Sequence, residues 1–166
     1  LAINSPGGVI SGVTELAKKI KNYSLPIVTY SRDLCASAGY WIASQTNRII
    51  IGETCEIGSV GVYAIVDDLS KIFENSGIKR EVISSGENKG LGVMGTPVTD
   101  RFREVTRSEV DYIATLFTTQ MRDVRHDISE ADCDGRVFVG RQAIDAHFAD
   151  EIGDLNSAIE AIMEVK

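Results

Sequence analysis

Two short runs of β-branched and apolar residues constrain the fold of this chain more than any other feature. The runs "LPIVTY" (25–30) and "RIII" (48–51) have the length of single strands, and a helix-like segment (37–45) lies between them. A strand, a helix and a second strand in this order are typical of a parallel sheet. The sequence therefore predicts an α/β fold with a largely parallel sheet and flanking helices.

Amphipathic segments account for the flanking helices. Apolar residues recur at helical spacing over residues 10–21 and, in a longer stretch, over residues 99–124. Shorter helices are predicted in "DDLSKIFENSG" and over residues 141–146 and 156–165. Further strands are predicted at the end of "LAIN", in "IKREVIS" and in "IGSVGVYAIV", where the glycines indicate a strand pair or a bulge.

Length, charge and cysteine content bound the class of protein. With 166 residues and no linker or repeat, the chain is predicted to form a single domain over residues 1–166. Because it opens within a strand, we expect one or more N-terminal strands upstream, and a membrane anchor is expected only there. A net charge of −7 argues against a nucleic-acid partner. The 3 cysteines have no metal-ligand spacing and are interpreted as reduced thiols.

Small residues surround one serine in the stretch "LCASAGYWIAS", at the start of a predicted helix. This serine, Ser37, has the position of an ordinary helix N-cap. The same position lies in the positive potential of a helix N-terminus, where a hydroxyl nucleophile and the Ala38 amide would stabilise an oxyanion. In "INSPGG", Gly7 and Gly8 follow a strand and make either a plain turn or part of an oxyanion hole. These residues alone leave both interpretations open.

A nucleophilic serine needs a base, and the chain offers few candidates. The 2 histidines, His126 and His147, lie at helix ends without a partner pattern and are interpreted as surface or structural residues. A lysine can act as a base when burial leaves its amine neutral. Lys89 differs from most lysines of the chain because it lies in the glycine-rich loop "SSGENKGLG" rather than on a charged helix face. A solvated loop lysine is the alternative interpretation.

Four motifs in register carry a resemblance to a known family. In their order, "INSPGG", "ASAGYWIAS", "EIGSVGV" and "SSGENK" resemble the signal peptide peptidase A (protease IV) family of serine peptidases. The resemblance covers nearly the whole chain, including the tail "GRVFVGRQAIDAHFADEIGD". It implies a Clp/crotonase-like fold and a Ser–Lys dyad that hydrolyses peptides or proteins through an acyl-enzyme, without a metal or cofactor. It also implies a homo-oligomeric ring, in which neighbouring chains can complete the dyad.

The resemblance assigns roles by motif position. Ser37 corresponds to the nucleophile and Lys89 to the general base, while Ser59 of "GSVGV" would hydrogen-bond and orient the lysine. The oxyanion donors that it implies are backbone amides of small residues, namely Ala38 and one glycine of "SPGG", with Gly8 preferred over Gly7.

Two positions depart from the family pattern. Ala38 follows the candidate nucleophile where most members have glycine, and His147 stands where many members have glycine. The stretch "GLGVMGTPVTD" and the long helix after it are closer to phage head-maturation proteases of the minor capsid protein C type. That branch would place the protein in the host cytoplasm and prohead, whereas a signal peptide peptidase would be associated with the bacterial membrane.

Two other classes of protein share the expected fold. A crotonase-type acyl-CoA enzyme also uses paired amides as an oxyanion hole, but it needs no serine nucleophile. The "S-x-G-Y" bend and Lys89 therefore argue against it. A non-catalytic assembly protein of the same fold is the other alternative, and the presence of both candidate catalytic residues argues against that class.

Overall fold

The computed structural model describes residues 1–164 and divides the chain into two compact units. The first unit comprises Leu1–Val62 and the chain from Ala114 onward, and the second comprises Tyr63–Ile113. The helices are α1 (Val13–Lys21), α2 (Ala38–Ala43), α3 (Ser70–Asn75), α4 (Asp100–Arg122), α5 (Arg141–Asp145) and α6 (Leu155–Glu164). The strands are β1 (Val28–Ser31), β2 (Leu34–Ala36), β3 (Arg48–Ile51), β4 (Glu56–Gly58), β5 (Val137–Val139) and β6 (Glu151–Ile152).

A parallel three-stranded sheet in the order β1–β3–β6 forms the centre of the first unit. Its first two strands correspond to the predicted runs "LPIVTY" and "RIII", and they pair in the register Val28↔Arg48. The "LAIN" segment extends the sheet beyond β1, because Ala2 forms a parallel bridge with Tyr30. The predicted α/β fold with a parallel sheet and flanking helices is therefore confirmed.

Burial explains why the sequence of β3 is a run of isoleucines rather than an alternating pattern. Ile49, Ile50 and Ile51 are all fully buried, as expected for a central parallel strand that is covered on both faces. Helix α6 covers one face, where Ala158 and Ala161 pack in a cluster with Ile50 and Val28 of β1. The small alanine side chains allow the helix to approach the sheet closely.

A second sheet in the first unit was not predicted. Strand β2 pairs in parallel with β4, which pairs in antiparallel fashion with β5. Each of these strands has three residues, which is too short for a period of two to be visible in the sequence. The residues of β2 lie in the stretch "LCASAGYWIAS", for which the sequence predicted only a helix from Ser37 onward. This sheet nevertheless positions the candidate nucleophile.

The predicted helices agree with the structure. The long amphipathic segment forms α4, from Asp100 to Arg122, and the shorter segments form α1, α3 and α5 within a few residues of the predicted bounds. Helix α6 begins at Leu155, and its predicted end at residue 165 lies outside the described residues. Within the first unit, Phe117 of α4 stacks on Trp41 of α2 with ring centroids 4.5 Å apart.

One predicted strand is wrong, and another is shorter than predicted. The segment "IKREVIS" has no strand at residues 78–84, and "IGSVGVYAIV" forms a strand only as far as Gly58. Both segments have side chains that suit a strand, but a strand also needs a hydrogen-bonded neighbour, which β-propensity does not report. The described residues of the second unit contain α3, the first part of α4 and no strand.

Local contacts of side chains with backbone organise the second unit. Asp68 accepts hydrogen bonds from the amide and hydroxyl of Ser70 and from the amide of Val98, and these bonds lower the pKa of its carboxyl to about 2. Gly95 packs against the ring of Phe73, where a Cβ atom would lie 2.6 Å from a ring carbon. No helix in residues 1–164 is long and apolar enough to cross a membrane.

Candidate active site

Ser37 occupies a sharp turn between a strand and a helix. Strand β2 ends at Ala36, α2 begins at Ala38, and Ser37 between them has φ 52° and ψ −123°. A residue with a side chain rarely adopts this conformation, and holding it there costs about 1–3 kcal/mol. Two backbone hydrogen bonds hold the turn: the Ser37 amide donates to the carbonyl of Gly58 at 2.8 Å, and its own carbonyl accepts from the amide of Trp41 at 2.9 Å.

The hydroxyl of Ser37 does not act as a helix cap. Ser37 is the N-cap residue of α2, but its side chain makes no capping hydrogen bond. The interpretation of this serine as an ordinary N-cap, which the sequence left open, is therefore not supported. The side chain is half-buried, and the strained turn presents it at the end of a strand, a geometry similar to the nucleophile elbow of α/β-hydrolases.

The glycine loop "SPGG" lies against this serine. Gly7 has φ 99°, and a Cβ atom added to it would lie 2.6 Å from the Cβ atom of Ser37 and 3.1 Å from the amide nitrogen of Ala38. Only a residue without a side chain can approach so closely. The structure thus brings together two motifs that are 30 residues apart in the sequence.

Two backbone amides beside the serine are free to bind a ligand oxygen. The Gly7 amide donates to Ser5 Oγ at 3.1 Å. Within the described part of the chain, neither the Gly8 amide nor the Ala38 amide has a hydrogen-bond partner. Free amides next to a hydroxyl are the donors that a tetrahedral oxyanion requires.

Ser59 occupies a second turn of positive φ beside the first. It follows the end of β4 and has φ 52°, and its amide donates to the carbonyl of Arg136 at 2.7 Å. Because Ala36 of β2 pairs with Gly58 of β4, Ser37 and Ser59 follow neighbouring positions of two parallel strands. Side chains that follow adjacent parallel strands meet at the carboxyl edge of a sheet, which is where ligands bind in α/β proteins.

Lys89 belongs to the second unit. It lies in a turn in which its amide donates to the carbonyl of Gly86 at 3.0 Å, and its side chain is exposed. The preceding residue, Asn88, accepts a hydrogen bond from Arg101 Nε at 2.9 Å, which links the loop to the start of α4. The assignment of Lys89 as the base remains a prediction from the resemblance.

An apolar cavity of about 430 Å³ adjoins the serine turn in the first unit. Gly7, Gly8, Ala38 and Gly39 contribute to one part of its wall. The remainder of the wall is mostly aliphatic and comes from the first residues of the chain, α1 and α2: Ile3, Val9, Val13, Leu16, Ile20 and Ile42. A cavity of this size and composition suits an aliphatic side chain of a ligand.

The other nucleophilic or basic side chains are poor candidates for the chemistry. Burial raises the pKa of the Cys35 thiol to about 12 and also raises that of Cys55, so neither is a thiolate near neutral pH. His126 and His147 are both exposed, as the sequence indicated. Among residues 1–164, no group of three or more histidine, cysteine or acidic side chains could hold a metal ion.

Comparison with known proteins agrees with the resemblance. The model of Peptidase family S49 matches residues 19–166, and the chain therefore belongs to this family. Capsid assembly protease C of Escherichia phage lambda is 27% identical over 168 residues, which cover 99% of this chain and 38% of the phage protein. The chloroplastic serine protease SPPA of Arabidopsis thaliana is 28% identical over 165 residues, covering 96% of this chain and 24% of the plant protein.

Relatives from cellular and phage branches match at similar levels. Protease 4 of Salmonella typhi is 22% identical over 171 residues, covering 99% of this chain and 28% of the Salmonella protein. The chain spans half or less of the length of these relatives. The family is thus established, and the resemblance to the signal peptide peptidase A and phage capsid protease sequences is confirmed.

Proposed function

We propose that this chain is the peptidase domain of a serine endopeptidase with a Clp/crotonase-like fold. The observation that carries the proposal is the strained turn that presents Ser37, a half-buried serine at φ 52° whose side chain makes no capping hydrogen bond. Strain at a residue with a side chain is a feature of functional sites, and a relaxed glycine would otherwise be expected. Membership of the S49 family supports the same function.

The reaction would proceed by acyl transfer. Ser37 Oγ attacks a peptide carbonyl as neutral Lys89 takes its proton, and Lys89 then gives this proton to the leaving amine. A water deprotonated by the same lysine hydrolyses the acyl-enzyme. Ser59 would orient the lysine. Because the Lys89 side chain is exposed, the proposal requires that its amine be desolvated by bound substrate or by another copy of the chain.

The oxyanion would be stabilised by two amides. The Ala38 amide is one donor, and we assign the Gly8 amide as the other because the Gly7 amide is already used by Ser5 Oγ. Loss of one donor of this kind lowers kcat by about 100- to 1,000-fold. The apolar cavity beside these amides would take an aliphatic side chain of an extended peptide or protein substrate.

A homo-oligomeric ring is the proposed assembly. Its support is the exposure of large apolar side chains in the second unit, with Tyr63 83% exposed, Ile83 95% exposed and Tyr112 of α4 71% exposed. Contiguous exposed apolar surface marks an interface, and these side chains are the candidates for the contact between copies. Gel filtration that gives a fully active monomer would contradict this part of the proposal.

Labelling with a fluorophosphonate tests the nucleophile. We expect the probe to modify wild-type protein and to leave Ser37→Ala unmodified, because the reagent reacts with activated serines. Ser24→Ala, which removes an exposed serine, is the matched control and should be labelled like the wild type. Absence of labelling together with absence of peptide hydrolysis in the wild type would favour an acyl-CoA enzyme or an assembly protein of this fold.

The role of Lys89 is tested by replacing it with alanine. Lys89→Ala should abolish turnover, whereas Lys79→Ala, another exposed lysine of the second unit, should retain it. Mixing the inactive Ser37→Ala and Lys89→Ala proteins should restore activity only if the two residues act from different chains. Normal cleavage by Lys89→Ala would exclude the dyad.

A further inference from the structure

Ser5 links the glycine loop to the strand that leads to the candidate nucleophile. Its amide donates to the carbonyl of Leu34 at 2.8 Å, and its carbonyl accepts from the amide of Ala36 at 2.9 Å. Ser5 therefore forms a parallel bridge with Cys35 of β2, two residues before Ser37. Both backbone polar groups of Ser5 are thus hydrogen-bonded to β2, and its side chain is available for another contact.

The side chain of Ser5 holds the loop that follows it. Ser5 Oγ accepts a hydrogen bond from the Gly7 amide at 3.1 Å. On its other side it touches α2, because a Cβ atom added to Gly39 would lie 3.1 Å from Ser5 Cβ and 3.3 Å from Ser5 Oγ. A glycine inside a helix is destabilising relative to alanine. The close approach of Ser5 explains why α2 nevertheless has glycine at this position.

From these contacts we infer that Ser5 is a positioning residue of the oxyanion hole. By binding the Gly7 amide, the Ser5 hydroxyl fixes the first peptide group of the glycine pair and leaves the Gly8 amide as the free donor. Glycine loops sample many conformations, so a side-chain anchor of this kind is needed to hold one amide in place before the substrate arrives. This inference rests on the proposed function of Ser37.

Replacement of the hydroxyl tests the inference by steady-state kinetics. With acetyl-Leu-Leu-coumarylamide as substrate, Ser5→Ala should lower kcat by about 10- to 100-fold, because a misplaced donor no longer stabilises the transition state. KM should change by less than about 2-fold, because the donor acts on the oxyanion and not on the bound substrate. Ser5→Cys, whose thiol is a weaker acceptor of similar shape, should have a kcat between those of the wild type and Ser5→Ala. Ser11→Ala, an exposed serine of the same loop, should match the wild type.

A pair of inhibitors provides a readout that a purely structural role would not change. A peptide aldehyde ending in leucinal forms a hemiacetal: Ser37 Oγ bonds to the aldehyde carbon, and the hydroxyl proton passes through the base to the former carbonyl oxygen. The corresponding peptide alcohol binds without forming this bond. Ser5→Ala should weaken binding of the aldehyde by about 10- to 100-fold and leave the affinity of the alcohol unchanged. The reason is that only the aldehyde places an oxygen in the oxyanion hole.

The outcomes separate this inference from the proposed function. If fluorophosphonate labels wild-type Ser37 while Ser5→Ala keeps the kcat and the aldehyde affinity of the wild type, the inference is wrong and the peptidase stands. If Ser5→Ala weakens binding of the aldehyde and of the alcohol equally, Ser5 has only a structural role. Should Ser5→Ala fail to fold, Ser5→Cys decides between these outcomes. If the wild type is neither labelled nor active, the proposed function fails, and the inference fails with it.

Discussion

Two strand-to-helix turns of the first unit share one backbone geometry but carry different residues. Ser37 joins β2 to α2 with φ 52° and ψ −123°, and Gly140 joins β5 to α5 with φ 49° and ψ −114°. Each is the N-cap residue of its helix without a side-chain cap. Glycine is relaxed in this conformation and any other residue is strained, so the backbone favours glycine at both turns.

The two turns differ in the space that their surroundings leave for a side chain. A Cβ atom at Gly140 would lie 2.0 Å from the carbonyl oxygen of Glu53, so this position has no room for a side chain. At Ser37 the room exists because the facing residue, Gly7, has no side chain of its own. The turn at Gly140 therefore accepts only glycine. At the other turn the glycine is the facing residue, Gly7, and the turn itself keeps a strained serine, Ser37. A side chain retained against its backbone preference indicates a use other than stability.

The largest effect is expected when serine is placed in the second turn. Gly140→Ser should lower the free energy of unfolding by about 4 kcal/mol or more, because its Cβ atom collides with the backbone of Glu53. Urea unfolding followed by the fluorescence of Trp41, the 1 tryptophan of the chain, measures this change. Gly135→Ser is the control, since it also has positive φ but no heavy atom within 4 Å of an added Cβ, and should cost about 1 kcal/mol. Equal losses for both would contradict the packing argument.

The next effect tests the room that Gly7 leaves for the serine. Gly7→Ala should lower the free energy of unfolding by about 3 kcal/mol, because its Cβ atom would lie 2.6 Å from that of Ser37 at an unfavourable φ. Gly12→Ala, with φ 80° and no neighbour within 4 Å, should lose only about 1 kcal/mol of backbone energy. If the two variants unfold at the same urea concentration, Gly7 does not provide the space for the serine.

Removal of the serine side chain should stabilise the protein. Ser37→Gly should raise the free energy of unfolding by about 1 kcal/mol, since glycine relieves the strain of positive φ while adding some backbone entropy to the unfolded chain. Ser37→Ala keeps a Cβ atom and should show no such gain. Both variants should lose peptide hydrolysis. A fall in stability on Ser37→Gly would mean that the turn is not strained.

The smallest effect is expected at another non-glycine residue of positive φ. His147, after the end of α5, has φ 65° where glycine would be relaxed. We expect His147→Gly to raise the free energy of unfolding by about 0.5–1 kcal/mol and to leave turnover unchanged. His147→Ala controls for loss of the imidazole and should bring no gain. A gain for alanine equal to that for glycine would assign the effect to the side chain rather than to the backbone.

Much of the fold could be predicted from the sequence because it depends on local patterns. The run "RIII" is a central strand and residues 100–122 form one long helix, since burial on both faces and a period of 3.6 are visible in single segments. The second sheet was missed because its three-residue strands are defined by their partners. The strand predicted in "IKREVIS" was wrong for the same reason: its side chains suit a strand, but the residues have no neighbour to pair with.

For the candidate site, too, some features could be predicted from the sequence and others depend on the tertiary structure. The sequence by itself determined which residue types are present: a serine at the entrance of a helix, a pair of glycines after a strand, and a lysine in a glycine-rich loop. Only the tertiary structure decided that Ser37 is strained and that its side chain makes no capping hydrogen bond. It also decided that Gly7 faces Ser37, and that Ser5 Oγ binds the Gly7 amide and leaves the Gly8 amide free. Dihedral strain and close contacts arise from segments that meet in space, and neither is encoded in the spacing of residues along the chain.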